Sequence, residues 1–256
     1  MEAAEILSVL FRWLHVVAGI MWIGLLYFYN FVNAQFAATL DADTRKKVVP
    51  ELQSRAIYWF RWAAAYTWVT GFLLLALVYY HGGLMFESDN TDRWTAGAIT
   101  MVAVSFLMFA AYDMLARSSV GKNLTILGIV GIVLIALVTY LMVDWARFSF
   151  RAYNIHLGTM FGTIMAANVW MRIWPAQKKI LPAVKEGLAP DANLMAVVAA
   201  RGKHNTFLSV PLVWTMINMH TSVPAASHWL YLVGAVVLGW IVVWLAYGKA
   251  GKLKSL

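Results

Sequence analysis

The chain has 256 residues, of which 62% are hydrophobic and 12% charged, with a formal net charge of +8 and no Cys. That charged share is about half of a soluble domain's, and so much apolar surface excludes a disordered chain, which lacks the means to collapse. The missing thiols exclude a disulfide scaffold, a Cys-ligated zinc or iron–sulfur site and a c-type haem within these residues. A bilayer is the natural solvent for such a composition. The basic excess then reads as a topology signal, with no nucleic-acid partner needed.

Crossing about 30 Å of hydrocarbon takes roughly 20 apolar residues. Taken in chain order, the runs of that length fall at 8–34, 58–80, 95–116, 124–145, 153–174, 205–222 and 229–248. The predicted fold is all-α: a single integral membrane domain over 1–256, forming a polytopic transmembrane bundle of about seven spans. Basic residues gather between spans one and two (Arg45, Lys46, Lys47, Arg55), three and four (Arg117, Lys122), five and six (Lys178, Lys179, Lys185, Arg201, Lys203) and in the tail (Lys249, Lys252, Lys254). Glu2, Glu5, Glu87, Asp89, Asp92 and Asp144 fall on the opposite side. The positive-inside rule therefore predicts the N-terminus outside and the C-terminus inside. No cleavable signal peptide is expected, because the first residues are acidic and the first apolar run is too long. The stretch 175–203, with Pro175, Pro182, Gly187 and Pro190, reads as a cytoplasmic loop, and a bacterial inner membrane is the expected location.

Polar groups inside spans are costly and usually face the protein interior. His15, His156 and His220 lie on three different spans towards the outer side, and His of this kind can ligate haem iron. One or two b-type haems are the expected cofactor. Zinc is not, since three or four close ligands are lacking. Gly19, one turn after His15, would let a flat macrocycle approach the backbone, although packing is the plainer role of such glycines. Arg12, Arg147 and Arg151 are candidates for haem propionates, with snorkelling to headgroups as the alternative.

A second polar group falls towards the inner side. Asn30 and Asn33 come from the first span, Asn168 and Arg172 from the fifth with Gln177 just beyond, and Arg201, His204 and Asn205 open the sixth. Amides, a guanidinium and an imidazole offer donors and acceptors to a flat, polar, anionic heterocycle. Capping and interhelical hydrogen bonding are the structural alternative. Pro211 is expected to kink its helix. Trp59, Trp62, Trp94, Trp145, Trp174 and Trp229 read as an interfacial belt, and Trp13 and Trp22 as lipid contacts, with flanking a cofactor as their alternative. Asp113 and Arg117, one turn apart, read as a structural pair.

Three stretches, RWLHVVAGIMWIGLLYFYNFVN from Arg12, GTMFGTIMAANVWMRIWPAQ from Gly158 and RGKHNTFLSVPLVWTMINMH from Arg201, resemble the membrane domain of the PuuD-type urate hydroxylases. The first span alone also resembles HemJ-type protoporphyrinogen oxidases and CopD-like proteins. The resemblance implies oxidation of urate to 5-hydroxyisourate, coupled to a respiratory acceptor. It points to Asn30, Asn168, His204 and Asn205 around the purine, with Asn33, Arg172 and Arg201 beside them, and to His204 as base or orienting donor. Members of that family commonly continue into a cytochrome c domain. No CxxCH occurs here, so a separate cytochrome c, a quinone or a partner subunit is expected to take the electrons. A haem b subunit of a larger redox complex without its own substrate, a HemJ-like oxidase and a transporter are the competing readings.

Overall fold

The computed structural model describes residues 2–91, 93–220 and 228–253. Asp92, Lys254 and positions 221–222 of the sixth predicted span lie outside the described residues. The described chain is all-helical and, within it, free of strands, as the sequence predicts. Helix α1 (Glu2–Tyr27) continues through a π-helical stretch, Phe28–Asn33, into α2 (Ala34–Thr39). Helix α3 (Ala42–Leu74) ends in a second π-helical stretch, Leu75–His81. Then follow α4 (Ala96–Arg117), α5 (Leu124–Asp144) and α6 (Phe150–Asn168), which leads through a third π-helical stretch, Val169–Ile173, into α7 (Trp174–Glu186). Helices α8 (Ala192–Asn218) and α9 (Trp229–Ala250) complete the order.

Five stretches are long and apolar enough to cross a membrane: Ala3–Thr39, Ala42–His81, Ala96–Arg117, Leu124–Asp144 and Trp229–Ala250. The protein is thus a multi-pass membrane protein. The fifth predicted run, and the sixth as far as Asn218, are also helical, but Asn154, His156, Asn168 and Arg172 in one, and Asn205 and Asn218 in the other, dilute their apolar character.

The stretch 175–203, between the fifth and sixth predicted runs, is itself largely helical: α7 and the start of α8 occupy most of it. Pro175 sits in the first turn of α7, directly after the π-helical stretch, and the helical run continues through it. Ile180 and Leu181 bury one face, and Gly187 ends the helix in the left-handed region (φ 76°). Gly187 N–H then donates to the Val184 carbonyl and Leu188 N–H to that of Ala183, a closure that glycine permits most readily. Helix α8 likewise continues through Pro211.

The chain divides into two compact units. The first comprises 1–72, 165–208 and 242–256. Its buried centre includes Trp22, Leu26, Phe60 and Ala64. Trp22 therefore corrects the expectation of a lipid contact, since it is 1% exposed and does not face lipid. At the start of α3, Thr44 N–H donates to Asp41 Oδ1 (3.0 Å), and this bond holds the exposed Asp41 carboxyl below its ordinary range.

The second unit comprises 73–164 and 209–241. Thr95 caps α4 by accepting from Ala98 N–H, and Asn123 caps α5 by accepting from Thr125 and Ile126 N–H. Asp113 is buried and lies 3.8 Å from Arg117, the structural pair expected from their spacing. Gly158 lets α6 and α8 meet closely, because a Cβ there would collide with the Thr215 side chain.

Candidate functional site

In the first unit, Arg201, His204 and Asn205 occupy positions i, i+3 and i+4 of α8, so they share one face. All three are buried, Asn205 completely. A polar face turned inwards on a membrane helix needs internal partners. Asn168, at the end of α6, supplies one: its Nδ2 donates to Asn205 Oδ1 (2.8 Å). Asn205 Nδ2 in turn donates to the Met165 carbonyl (3.0 Å). The two amides thus tie α8 to the point where α6 turns π-helical.

Asn30 sits in the first π-helical stretch. Its Nδ2 donates to the Leu26 carbonyl (2.9 Å) and its Oδ1 accepts from Tyr247 of α9 (2.9 Å). A Cβ at Gly202 would stand 3.4 Å from Asn30 Oδ1, so the small residue next to Arg201 lets Asn30 approach α8. Tyr247 is held by Phe207, stacked at 6.1 Å, and by Phe31, edge-on at 5.0 Å. Lys203 Nζ lies 5.3 Å from its ring centre. Asn33 is buried in the same π-helical stretch. Arg172 Nη1 is directed to its own neighbour's carbonyl at Met171 (3.5 Å).

Two further features escaped the sequence reading. Tyr247 lies in an apolar run with nothing local to mark it. Arg61, near the start of the apolar stretch 58–80, has its guanidinium carbon 4.1 Å above the Trp174 ring, with Trp170, Tyr58 and Trp62 within 5.8 Å. Its carbonyl accepts from Trp170 Nε1 (3.0 Å). A lone Arg among aromatic residues was the available signal.

The candidate haem ligands fall in different units. His15, in the first, has its Nδ1 2.9 Å from the Thr67 carbonyl and 3.2 Å from Thr70 Oγ1. Gly71 faces the ring so closely that a Cβ would stand 2.9 Å from His15 Cε1. Fixing Nδ1 on a carbonyl puts the proton there and leaves Nε2 as the basic nitrogen, the usual support of a metal-binding His. His156, in the second unit, is fully buried, with Nδ1 2.7 Å from the Ala152 carbonyl. Its Nε2 meets the Tyr80 hydroxyl at 3.1 Å, and Phe148 packs on the ring at 4.9 Å. His220 is exposed in the turn after α8. Arg12, Arg147 and Arg151 are exposed. Gly19 is not a tight cradle, since a Cβ there would make an ordinary 3.8 Å contact with Thr67. Among the described residues, no three His, Cys, Asp or Glu gather as a metal-binding group.

A family model described as "Urate oxidase N-terminal" matches residues 41–250. The chain belongs to the urate oxidase N-terminal family. This is the membrane domain of the PuuD-type urate hydroxylases, so the resemblance carried by the sequence motifs holds. No curated protein and no solved structure matches the chain. Within this urate oxidase N-terminal region lie Asn168, Arg201, His204, Asn205 and Tyr247, together with the Arg61 box, whereas His15, Asn30 and Asn33 precede residue 41. Haem has a fitting ligand at His15. At His156 the same nitrogen already accepts from Tyr80, so ligation there requires the Tyr80 hydroxyl to turn away.

Proposed function

We propose that this protein is a membrane-bound, urate hydroxylase-like oxidoreductase of a bacterial inner membrane. It oxidises urate or a related purine, with haem b as cofactor and a cytochrome c or quinone as respiratory acceptor. The observation that carries this reading is the buried polar face of α8, Arg201, His204 and Asn205, tied to Asn168 within the matched family region.

In the reaction, water adds at C5 of the purine, one C–O bond forms, and two electrons and two protons leave. The guanidinium of Arg201 neutralises the urate anion. Asn168 and Asn205 already orient each other, so this fixed amide pair meets the heterocycle at little entropic cost. His204 takes or steers a released proton. Asn30 is positioned by Tyr247 and borders the same helix at Gly202. His15 would hold the haem iron through Nε2. A haem bound there supplies one-electron exchange.

The test is an optical spectrum of the purified, haem-replete protein under anaerobic conditions. Dithionite should produce reduced b-type bands, lost or shifted in His15→Ala, and urate should produce the same bands. If urate leaves the spectrum oxidised while a quinol reduces it, the protein is an electron-transfer subunit and the enzyme reading fails. Absence of b-type bands after expression with ample haem sinks the cofactor assignment.

A further inference from the structure

We infer that Arg61 and its aromatic box form a binding site for the phosphate of an anionic phospholipid headgroup. The Arg61 guanidinium has planar aromatic neighbours on several sides, Trp174 at 4.1 Å and Trp170, Tyr58 and Trp62 farther out. Among the described residues it forms no ion pair and its side chain donates no hydrogen bond, and its Nε is buried without an acceptor. Guanidinium carries five N–H donors and no acceptor, and its fork matches the oxygens of a phosphate. Ring faces hold the cation in place but leave its in-plane donors unsatisfied. A ligand with in-plane anionic oxygens completes the site.

Its surroundings favour a lipid over a soluble anion. Arg61 stands near the start of the apolar stretch 58–80. Tyr58 and Trp62 are 49% and 36% exposed, and such amphipathic rings sit at headgroup level. Lys178 adds a second cation, 5.6 Å from the Trp174 ring centre and exposed. Cations and aromatic rings at the end of an apolar span attract anionic headgroups electrostatically.

The experiment uses the full chain in nanodiscs or mixed micelles of phosphatidylcholine, with and without phosphatidylglycerol, and reads both thermal unfolding and lipid retention by native mass spectrometry. Phosphatidylglycerol should raise the unfolding temperature and remain bound, with apparent affinity falling at least about tenfold in Arg61→Gln, the loss expected for one charge-assisted hydrogen bond. Lys249→Gln, which removes an exposed cation elsewhere, should keep the full effect. Arg61→Lys retains the charge without the fork and should bind weakly; it also serves if Arg61→Gln does not fold. Equal behaviour in the two lipids, or a full phosphatidylglycerol effect in both Arg61 variants, overturns the proposal. So does inorganic phosphate reproducing the effect in phosphatidylcholine, which makes the site one for the free anion. Stabilisation by urate through Arg61, with no lipid effect, overturns it in favour of a substrate contact.

Discussion

Replacing Asn205 with Ala tests whether the buried amides of α6 and α8 act as one unit. The substitution removes the acceptor of Asn168 Nδ2 at 2.8 Å and the donor to the Met165 carbonyl at 3.0 Å, both at positions without solvent access. Leaving a buried polar group without a partner costs about 1–3 kcal/mol. Interhelical hydrogen bonds within membranes average only about 0.6 kcal/mol, because the unfolded chain in lipid also finds partners. Between these bounds, the loss for two bonds is about 1–4 kcal/mol. Asn168→Ala breaks the same shared bond from its other side. The double variant should cost less than the sum of the two single losses, with a coupling energy of about 1 kcal/mol for the shared bond. Unfolding of all four forms in detergent measures this cycle, and urate-dependent haem reduction in the same samples should fall more steeply than stability does. Additive losses, with coupling below about 0.3 kcal/mol, would refute the paired arrangement and the orienting role derived from it.

Gly71→Ala should press on the His15 ring, since its Cβ would stand 2.9 Å from Cε1; overpacking of about 1–3 kcal/mol and a shifted b-type spectrum are expected, while Gly19→Ala should leave the spectrum alone. Tyr247→Phe removes the donor to Asn30 Oδ1 and should cost about 0.5–1.5 kcal/mol, with KM for the purine rising before kcat falls in steady-state assays. Gly158→Ala should destabilise through its collision with Thr215, and Thr215→Ala should recover part of the loss in thermal unfolding. Asn123→Ala removes the acceptor for two N–H groups at the start of α5 and should cost about 1 kcal/mol, read as a lower unfolding temperature.

The helices were legible because apolar runs of membrane length leave the backbone little choice. The inner polar set was legible for a related reason: a buried amide or guanidinium in such a run is conspicuous. The bond from Asn168 to Asn205 itself was not legible, because periodicity places a residue on a helix face but does not say which neighbour meets it. Tyr247 and Arg61 were missed since one hides among apolar residues and the other passes for a charge near a helix end. The helices within 175–203 were not legible, because prolines and charges do not show that a helix runs on past Pro175 until Gly187 stops it. Trp22 was misread as a lipid contact because an indole suits a protein core as well as a lipid-facing surface.

The π-helical stretches carry a consequence for how this chain tolerates change in length. In each, hydrogen bonds reach one residue farther than in an α-helix, so one residue is in effect looped into the turn. Deleting one residue from Phe28–Asn33 or Val169–Ile173 lets the turn relax to α-geometry and keeps the following helix in phase. The same deletion a few turns away swings every later side chain by about 100°, carrying buried amides into lipid. Related chains that differ by a single residue in these helices should therefore take up the difference at these stretches, which act as expansion joints in otherwise rigid rods.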